Sequence, residues 1–408
     1  MDSCRFCGSP LKYTFADLGT TPLANSFLKQ AQLNQTEPFY PLHAYVCDRC
    51  FLVQLKEVVS PEVIFTDYPY FSSYSETWLQ HAKAYADQAV DRFGLDKGSR
   101  VIEIASNDGY LLQYFVGKGI PVLGIEPAAN VADAALKRGI RTVIKFFGEK
   151  TARELLAQDA RADLLVGNNV LAHVPGLNDF VRGMKILLKP QGVITMEFPH
   201  LMRLMAGIEF DTIYHEHFSY FSLVTVERIF AAHGLTIFDV EELPTHGGSL
   251  RIYAGHTDGT REPVSPRVTD LRAREEAAGF TRLEHYLSFD EKVRETKRML
   301  LDFLIRAKWE RKSIAGYGAP AKGNTLLNYC GIRSDFMDYT VDVSPHKQGQ
   351  FLPGTRIPIH HPKKIRETKP DYLLILPWNL KDENMEQMAY IRDWGGKFVI
   401  PIPKVEVL

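Results

Sequence analysis

Residues 101–126 limit the fold of this chain more than any other stretch. An apolar run, Val101–Ile104, leads into a loop of small polar residues that reaches Gly109, and apolar residues at helical spacing follow. A second apolar run ends at Glu126. The order strand, loop, helix, strand, acid predicts a doubly wound α/β domain that binds a nucleotide. The acid at the end of the second strand can accept two hydrogen bonds from a ribose diol.

The loop after the first strand indicates which nucleotide is bound. It lacks the Gly-x-Gly-x-x-Gly pattern, which disfavours NAD. Its form, Glu-Ile-Ala-Ser-Asn-Asp-Gly, resembles the first motif of S-adenosylmethionine-dependent methyltransferases, with Ala105 where that motif usually has its first glycine. The resemblance implies S-adenosylmethionine as the cofactor. The residues that we expect to bind it are Glu103, Ala105, Asn107, Gly109, Tyr110, Glu126 and Asn168.

A later strand, predicted at residues 163–167, delivers polar side chains to its carboxyl end. They are Asn168, Asn169 and His173. Ligands bind at that edge in open parallel sheets. A helix at residues 178–188 and a further strand follow, so the strand–helix–strand rhythm of a parallel sheet continues.

Four of the five cysteines form two Cys-x-x-Cys pairs, Cys4 with Cys7 and Cys47 with Cys50, while Cys330 stands alone. In a reducing compartment such pairs favour a metal over disulfides. Two such turns facing each other complete the tetrahedral sulfur shell that zinc prefers. Four protein ligands leave no open position, so we expect a structural zinc and a small lobe folded between the pairs.

The charge balance excludes several partners. Lysine and arginine total 48, and aspartate and glutamate total 49. This balance predicts no basic surface for nucleic acid or an anionic membrane. No apolar run approaches the length of a membrane span, and the first residues show no signal-peptide pattern. We therefore expect a cytoplasmic protein without a nucleic-acid or membrane partner.

The second half of the chain predicts another α/β domain. Residues 265–310 are charged with helical periodicity, which predicts long linking helices whose charges are solvated. Beyond them a short strand runs into Gly316, Gly318 and Gly323, with Lys322 among them and a helix after. Glycines allow close approach to a phosphate, and a helix amino terminus attracts one. We expect a phosphate-bearing ligand here; the alternative is a tight turn without a ligand.

Taken in order, these motifs resemble one family, the three-domain sugar C-methyltransferases that act on nucleotide-linked 4-keto deoxysugars. The resemblance spans nearly all 408 residues and rests on the paired CxxC lobe, EIASNDGYLL, GIEP, NNVLAHV, YHEHFSYF, THGGSLR and GYGAPAKGNTLLN. It implies methylation at C3 of a dTDP-linked 4-keto-6-deoxysugar with S-adenosylmethionine, a structural zinc ion, and a monomer.

The resemblance also implies roles for single residues. The catalytic residues that it places around the reacting sugar are Tyr68, Tyr214, Glu216 and His217. The substrate-binding residues that it implies are Asn169, His173, Lys322 and Asn324. Of these, Lys322 and Asn324 would meet the nucleotide diphosphate. The zinc ligands that it implies are Cys4, Cys7, Cys47 and Cys50.

The predicted fold class is α/β with three parts. Residues 1–66 would form the amino-terminal zinc-binding lobe. Residues 67–260 would form a central class I methyltransferase domain with a doubly wound sheet. Residues 261–408 would form a helical connector and a second, carboxyl-terminal Rossmann-like α/β domain that binds the nucleotide sugar.

Residues 214–222, YHEHFSYFS, hold two histidines around a glutamate. His-x-His lacks a third ligand with clear spacing, so a metal site is disfavoured. Removing a proton next to a ketone needs a base with a pKa near neutral, which suits histidine, and a tyrosine hydroxyl can donate to the developing enolate oxygen. We expect His217 to take the C3 proton and His215 to have a supporting role. A zinc-ribbon RNA methyltransferase and a non-catalytic nucleotide-sugar sensor are the alternatives.

Overall fold

The structure is a computed structural model that describes residues 3–65, 71–259 and 262–408. The strands are β1 (Tyr13–Thr21), β2 (Tyr40–Val46), β3 (Val53–Leu55), β4 (Val101–Ile104), β5 (Val122–Ile125), β6 (Thr142–Val143), β7 (Ala162–Asn168), β8 (Leu188–Pro199), β9 (Ser219–Tyr220), β10 (Leu235–Leu243), β11 (Ser249–His256), β12 (Ile314–Tyr317), β13 (Thr340–Val341), β14 (Ile359–His360), β15 (Tyr372–Ile375), β16 (Lys397–Ile400) and β17 (Glu406–Val407). The α-helices are α1 (Pro61–Phe65), α2 (Glu76–Phe93), α3 (Leu112–Val116), α4 (Ala129–Lys137), α5 (Glu149–Leu156), α6 (Leu177–Leu187), α7 (Leu201–Gly207), α8 (Leu223–Ala232), α9 (Pro266–Ala278), α10 (Leu283–Leu287), α11 (Phe289–Trp309), α12 (Ala321–Cys330), α13 (Lys363–Thr368) and α14 (Lys381–Gln387).

The chain divides into two compact units, each assembled from three stretches. The first unit contains Met1–Leu11, Cys47–Leu201 and Phe218–Arg282. The second contains Lys12–Val46, Met202–His217 and Leu283–Leu408. The domain boundaries expected from the sequence, after residues 66 and 260, remain a prediction.

The first unit contains a seven-stranded sheet in the order β10-β11-β8-β7-β4-β5-β6. Strands β4 to β8 pair in parallel with one another, while β11 runs antiparallel to both β8 and β10. This arrangement confirms the predicted doubly wound sheet. The strand order reverses at β4, which lies between β5 and β7, and such a switch point opens a ligand crevice at the carboxyl end of the strand.

The second unit contains a six-stranded sheet in the order β14-β13-β12-β15-β16-β17. Strand β12 pairs in parallel with both β13 and β15, and β17 is antiparallel to β16. The predicted second Rossmann-like α/β sheet is therefore confirmed, with its own switch point at β12. This unit also contains the antiparallel strand pair β1 and β2.

Local sequence signals explain where α2 begins and ends. The Ser75 hydroxyl accepts a hydrogen bond from the Trp78 backbone N–H, as an N-cap residue does. Gly94 ends the helix in the left-handed conformation, at φ 60°. Ala82, Ala86 and Ala89 are buried at helical spacing. The helix therefore runs from Glu76 to Phe93, with a residue of known capping preference at each boundary.

Residues 265–310 form α9, α10 and α11, so the predicted helices are confirmed. The expectation that their charges are solvated is wrong for Glu275, which is completely buried. Its carboxylate accepts hydrogen bonds from His200 Nε2 at 2.6 Å, from the Leu223 N–H at 2.7 Å and from the Val224 N–H at 2.8 Å. The last two donors belong to the first turn of α8, where unpaired N–H groups attract a negative charge. Glu275 therefore fastens α9 to the start of α8.

Among the helices that the structure describes, none is long and apolar enough to cross a membrane.

Replacing Glu275 with alanine should destabilise the protein by roughly 3 kcal/mol, because three buried donors lose their acceptor. Denaturant unfolding followed by circular dichroism measures this change. Glu276→Ala, at the exposed neighbouring position of α9, is the matched control and should stay within about 0.5 kcal/mol of the wild type. Equal effects of the two substitutions would contradict the role assigned to Glu275.

Candidate functional site

The four predicted zinc ligands come together in the first unit. The sulfur atoms of Cys4, Cys7, Cys47 and Cys50 all lie within 4.8 Å of one another. Cys4 Sγ is 3.5 Å from Cys50 Sγ, and Cys7 Sγ is 3.5 Å from Cys47 Sγ. A zinc ion with Zn–S bonds of about 2.3 Å holds its sulfur ligands roughly 3.8 Å apart, so the cluster fits this metal.

Backbone hydrogen bonds shape the two cysteine turns in the same way. In the first, the Gly8 N–H donates to Cys4 O at 2.9 Å; in the second, the Phe51 N–H donates to Cys47 O at 3.0 Å. The amide of Gln54 donates to Cys4 Sγ at 3.2 Å. Hydrogen bonds with the Cys47 and Cys50 thiols lower the pKa of Cys4, so one thiolate is already favoured. Both turns are thus preformed for a metal.

The loop after β4 has an unusual backbone. Ala105 and Asn107 both adopt positive φ angles, of 56° and 49°, and Gly109 has φ 79°. At Gly109 a Cβ atom would lie only 2.3 Å from Ile140 Cδ1, so a side chain here would displace the end of Ile140. The loop therefore needs left-handed geometry at the position where the related motif usually has its first glycine, and Ala105 adopts it.

Glu126 lies just after β5 and is buried. One carboxylate oxygen accepts the Asn107 N–H and the other accepts the Ala128 N–H, both at 2.9 Å. Burial raises the pKa of Glu126, and the two backbone hydrogen bonds oppose that increase. Each carboxylate oxygen can accept a further bond, so Glu126 can hold the loop and a ribose hydroxyl together.

Several buried polar atoms around this loop have no hydrogen-bond partner among the described residues. They are Ser106 Oγ, Asp108 Oδ1 and Asn168 Oδ1. Burial raises the pKa of Glu103 well above its usual value. Buried polar groups are normally hydrogen-bonded, so a ligand with an amino group and hydroxyls, such as S-adenosylmethionine, fits this set.

Aromatic rings extend the site beyond the residues predicted from the sequence. The Trp78 ring stacks on that of Tyr110, with centroids 5.9 Å apart, and on that of His81, at 5.0 Å. The Tyr110 hydroxyl accepts a hydrogen bond from Asn168 Nδ2 at 3.4 Å. Tyr110 and Asn168 were predicted from the sequence, whereas Trp78 was not. Its only signal was an aromatic residue in the first turn of a helix.

Glu197, near the carboxyl end of β8, is a second residue that sequence analysis missed. It accepts hydrogen bonds from Arg251 at 2.6 Å, His81 Nε2 at 2.9 Å and Thr245 Oγ1 at 3.0 Å. Burial acts to raise the pKa of Glu197, but the His81 hydrogen bond and the Arg251 charge lower it to about 2. Thr245 and Arg251 are the first and last residues of the THGGSLR motif, so both ends of that motif donate hydrogen bonds to an ionised carboxylate.

Asn169 and His173 follow β7, as predicted. Asn169 has φ 53°, and its N–H donates to Glu197 O at 2.7 Å. The His173 ring meets the edge of the Phe65 ring, with centroids 5.5 Å apart. Their predicted contact with the methyl acceptor stays a prediction.

In the second unit, a tight turn brings Tyr214 and His217 side by side. The ring centroids are 4.1 Å apart, and the backbone N–H of His217 donates to the backbone carbonyl of Tyr214 at 2.9 Å. His217 Nδ1 lies 2.8 Å from Thr212 O. A carbonyl oxygen only accepts hydrogen bonds, so Nδ1 carries the proton of this contact. Thr212 ends the short 3-10 turn Phe210–Thr212.

Glu216 and His215 have different partners. Glu216 is buried, and its Oε1 accepts a 2.6 Å hydrogen bond from Asn25 Nδ2. Asn25 was missed; its only signal is the segment TTPLANSF between the cysteine pairs. His215 Nε2 donates to Pro41 O at 3.1 Å, and burial lowers the pKa of His215. These contacts agree with the supporting role that the sequence predicts for His215.

Lys322 and Asn324 lie in the first turns of α12 and contact the chain itself. Lys322 Nζ donates to Asn379 Oδ1 at 2.5 Å and lies 4.3 Å from the Trp378 ring centroid. Asn324 is buried, and its Nδ2 donates to Ala24 O at 2.7 Å. Their predicted contact with a diphosphate stays a prediction.

The structure groups the predicted residues by unit. The predicted cofactor residues in the first unit are Glu103, Ala105, Asn107, Gly109, Tyr110, Glu126 and Asn168. The predicted catalytic and substrate-binding residues in the second unit are Tyr214, Glu216, His217, Lys322 and Asn324. Tyr68, the fourth predicted catalytic residue, lies outside the described residues.

Replacing Cys47 with serine should abolish stoichiometric zinc binding, because three sulfur ligands no longer close the tetrahedron. Elemental analysis of the purified protein measures the metal. Cys330→Ser, outside the cluster, is the control and should keep the wild-type zinc content. Full zinc occupancy in the Cys47 variant would contradict the assignment.

Replacing Glu126 with alanine should weaken binding of S-adenosylmethionine by about tenfold or more, because charge-assisted hydrogen bonds and the support of the loop are lost. Calorimetric titration measures the affinity without any methyl acceptor. Asp133→Ala, at an exposed position of the neighbouring helix α4, should bind like the wild type. An unchanged affinity in the Glu126 variant would rule out its proposed contact.

Comparison with known domain families matches the three parts of the chain. Residues 4–65 match a domain family described as zinc binding, and residues 78–240 match the family described as methyltransferase domain. Residues 244–403 match the family described as C-methyltransferase C-terminal domain. These matches agree with the sulfur cluster and the doubly wound sheet.

The chain is also similar to individual proteins. The chain is 35% identical to the C-methyltransferase NovU of Streptomyces niveus over 408 residues, covering 100% of this chain and 97% of that protein. It is 26% identical to a ubiquinone biosynthesis O-methyltransferase of Rhodopseudomonas palustris over 99 residues, covering 24% of this chain and 39% of that protein. A solved structure of magnesium protoporphyrin IX methyltransferase from Synechocystis, 14% identical, aligns with a TM-score of 0.33 over 43% of this chain and 78% of that chain.

The full-length similarity to NovU and the three domain matches identify an enzyme, so the non-catalytic sensor alternative is wrong. They also confirm the predicted methyl donor and the predicted metal class. The chain belongs to the C-methyltransferase family of NovU and is an S-adenosylmethionine-dependent C-methyltransferase with an amino-terminal zinc-binding domain.

Proposed function

We propose that this enzyme methylates C3 of a nucleotide-linked 4-keto-6-deoxysugar, with a dTDP-linked sugar as the acceptor. The reaction begins when His217 removes the C3 proton. The observation that carries the proposal is the 2.8 Å hydrogen bond from His217 Nδ1 to Thr212 O. It supports a general base with one defined reactive nitrogen, which methylation at carbon needs.

The tautomer of His217 follows from its partner. A neutral imidazole has one N–H and one lone pair, and Nδ1–H is committed to Thr212 O. The lone pair of the neutral ring is therefore on Nε2. With its lone pair on Nε2, the ring can accept a carbon-bound proton there. The hydrogen bond at Nδ1 stabilises the imidazolium that results.

The remaining chemistry is assigned to neighbouring side chains. Loss of a proton next to the ketone gives an enolate, whose carbon is the nucleophile. When bound, S-adenosylmethionine supplies a methyl group that its sulfonium already activates. In the proposal, the hydroxyls of Tyr214 and Tyr68 position the sugar and donate to the 4-oxygen as its charge develops. Glu216, held by Asn25, grips a sugar substituent.

We propose that Asn169 and His173 bind the methyl acceptor. RNA is the less favoured acceptor. RNA recognition relies on basic surfaces, and the near-equal totals of 48 basic and 49 acidic residues do not favour it. A panel of dTDP-, CDP- and GDP-linked 4-keto sugars, incubated with the enzyme and S-adenosylmethionine, tests the acceptor class by mass spectrometry. If no sugar nucleotide gains a methyl group, the proposed function fails.

Replacing His217 with asparagine should lower the rate of methyl transfer by roughly a hundredfold or more, since general base catalysis contributes about that much. It should equally suppress exchange of the C3 proton with deuterated solvent, followed by NMR on the accepted sugar nucleotide. Exchange isolates proton removal from the transfer step.

His215→Asn is the matched control, because it changes the other histidine of the same motif. It should retain C3 exchange to a larger extent than the His217 variant. If exchange continues at the wild-type rate without His217, another group is the base.

A further inference from the structure

The crevice of the second Rossmann-like sheet is filled by the chain itself. Lys322 follows β12 and Trp378 follows β15, and these two strands are adjacent and parallel. Their carboxyl ends therefore meet at the switch point, where nucleotide-binding sheets hold an anionic ligand. The 3-10 turn Phe210–Thr212 packs on α12 at this place.

Trp378 connects the two charged side chains of the crevice. Its indole N–H donates to Asp211 Oδ2 at 2.7 Å. The face of the same ring is 4.3 Å from the Lys322 ammonium, within the range of a cation–π interaction. Asp211 is completely buried. An anion thus lies where a phosphate would be expected, and it is a carboxylate of this protein.

The positive charge of Lys322 favours the ionised form of the buried Asp211 carboxylate. Burial raises the pKa of Asp211 to about 6, while the Lys322 charge and the Trp378 hydrogen bond act to lower it. Glu209 is also buried; burial and the nearby Asp211 charge raise the pKa of Glu209 to about 8. A buried anion is stable only when it is paired and hydrogen-bonded. The positive charge of Lys322 opposes the pKa increase of both acids, and Arg203 also does so for Glu209.

The 3-10 turn Phe210–Thr212 is hydrogen-bonded to the proposed base, His217. The carbonyl group of Thr212, the residue after Asp211, accepts the hydrogen bond of His217 Nδ1. The Thr212 N–H and hydroxyl both donate to Glu209 O, at 3.1 Å and 2.7 Å. Any shift of this turn therefore moves the acceptor that sets the orientation and tautomer of His217.

We propose that Asp211, Lys322 and Trp378 are positioning residues for His217. The crevice of the second α/β sheet anchors the turn that orients the base, and Lys322 supports that turn through Trp378 rather than binding a substrate diphosphate. This inference rests on the proposed function, because it takes His217 as the base.

Three substitutions test the assignment: Asp211→Asn, Lys322→Met and Trp378→Phe. The last removes the N–H donor and keeps an aromatic ring without changing any charge. Each should lower kcat and C3 proton exchange by roughly tenfold or more, the size typical of residues that support a catalytic group. Each should leave KM for the sugar nucleotide within about threefold, because in this assignment none of them binds it. Lys363→Met, an exposed lysine of the same domain, is the control and should match the wild type.

The diphosphate role of Lys322 predicts a different pattern. Lys322→Met would then raise KM with little change in kcat, and Asp211→Asn would leave both constants unaltered. That result would overturn the inference while leaving the proposed function intact. Loss of C3 exchange in His217→Asn, together with normal exchange in all three variants, would overturn it as well.

A second measurement guards against misfolding and against the absence of an accepted sugar. Removing one charge leaves its partner buried, so the double variant Asp211→Asn/Lys322→Met is included to remove both. Hydrogen–deuterium exchange by mass spectrometry should show faster exchange of the peptide covering residues 209–217 in all four variants, with the sheet strands still protected. Unchanged protection of this peptide would overturn the inference, whichever substrate the enzyme uses.

Discussion

A carboxylate at the end of the second strand holds the loop of the first strand in both α/β sheets, and the candidate sites depend on this contact. In the first sheet, Glu126 accepts the Asn107 N–H at 2.9 Å. In the second, Asp342 accepts the Ala319 N–H at 2.8 Å. Each acid also accepts the N–H of the residue two positions after itself. Hydrogen bonds to a charged acceptor are about twice as strong as neutral ones, so these acids define the loop shapes.

The two loops also share a residue with positive φ, although that residue is alanine in one loop and glycine in the other. Ala105 N–H donates to Ile125 O at 2.8 Å, and Gly318 N–H donates to Val341 O at 2.7 Å, each just before the strand-end acid. Both donor residues have positive φ, 56° and 85°. A residue with a Cβ costs about 1 kcal/mol or more in this region. Having alanine and not glycine at position 105 therefore raises the free energy of the loop conformation but does not change that conformation.

Much of the fold was predictable because strands and helices follow local patterns. The apolar run Val101–Ile104, the cysteine pairs and the strand-end acid Glu126 each have a signal within a few residues. Contacts between distant segments have no such signal: Asn25 and Glu216 are separated by 191 positions, and Trp378 and Asp211 by 167. Sequence patterns show which side chains are polar, but the partners of Glu216 and Asp211 come from distant parts of the chain.

The sulfur cluster is not equally shielded at its four corners. Cys4, Cys47 and Cys50 are buried, whereas Cys7 is exposed to solvent. Oxidation of a cysteine depends on its thiolate character and on its accessibility. Oxidants and competing chelators therefore reach the cluster at Cys7 first. We therefore expect loss of the metal to begin at Cys7, however strongly the other three sulfur atoms hold it.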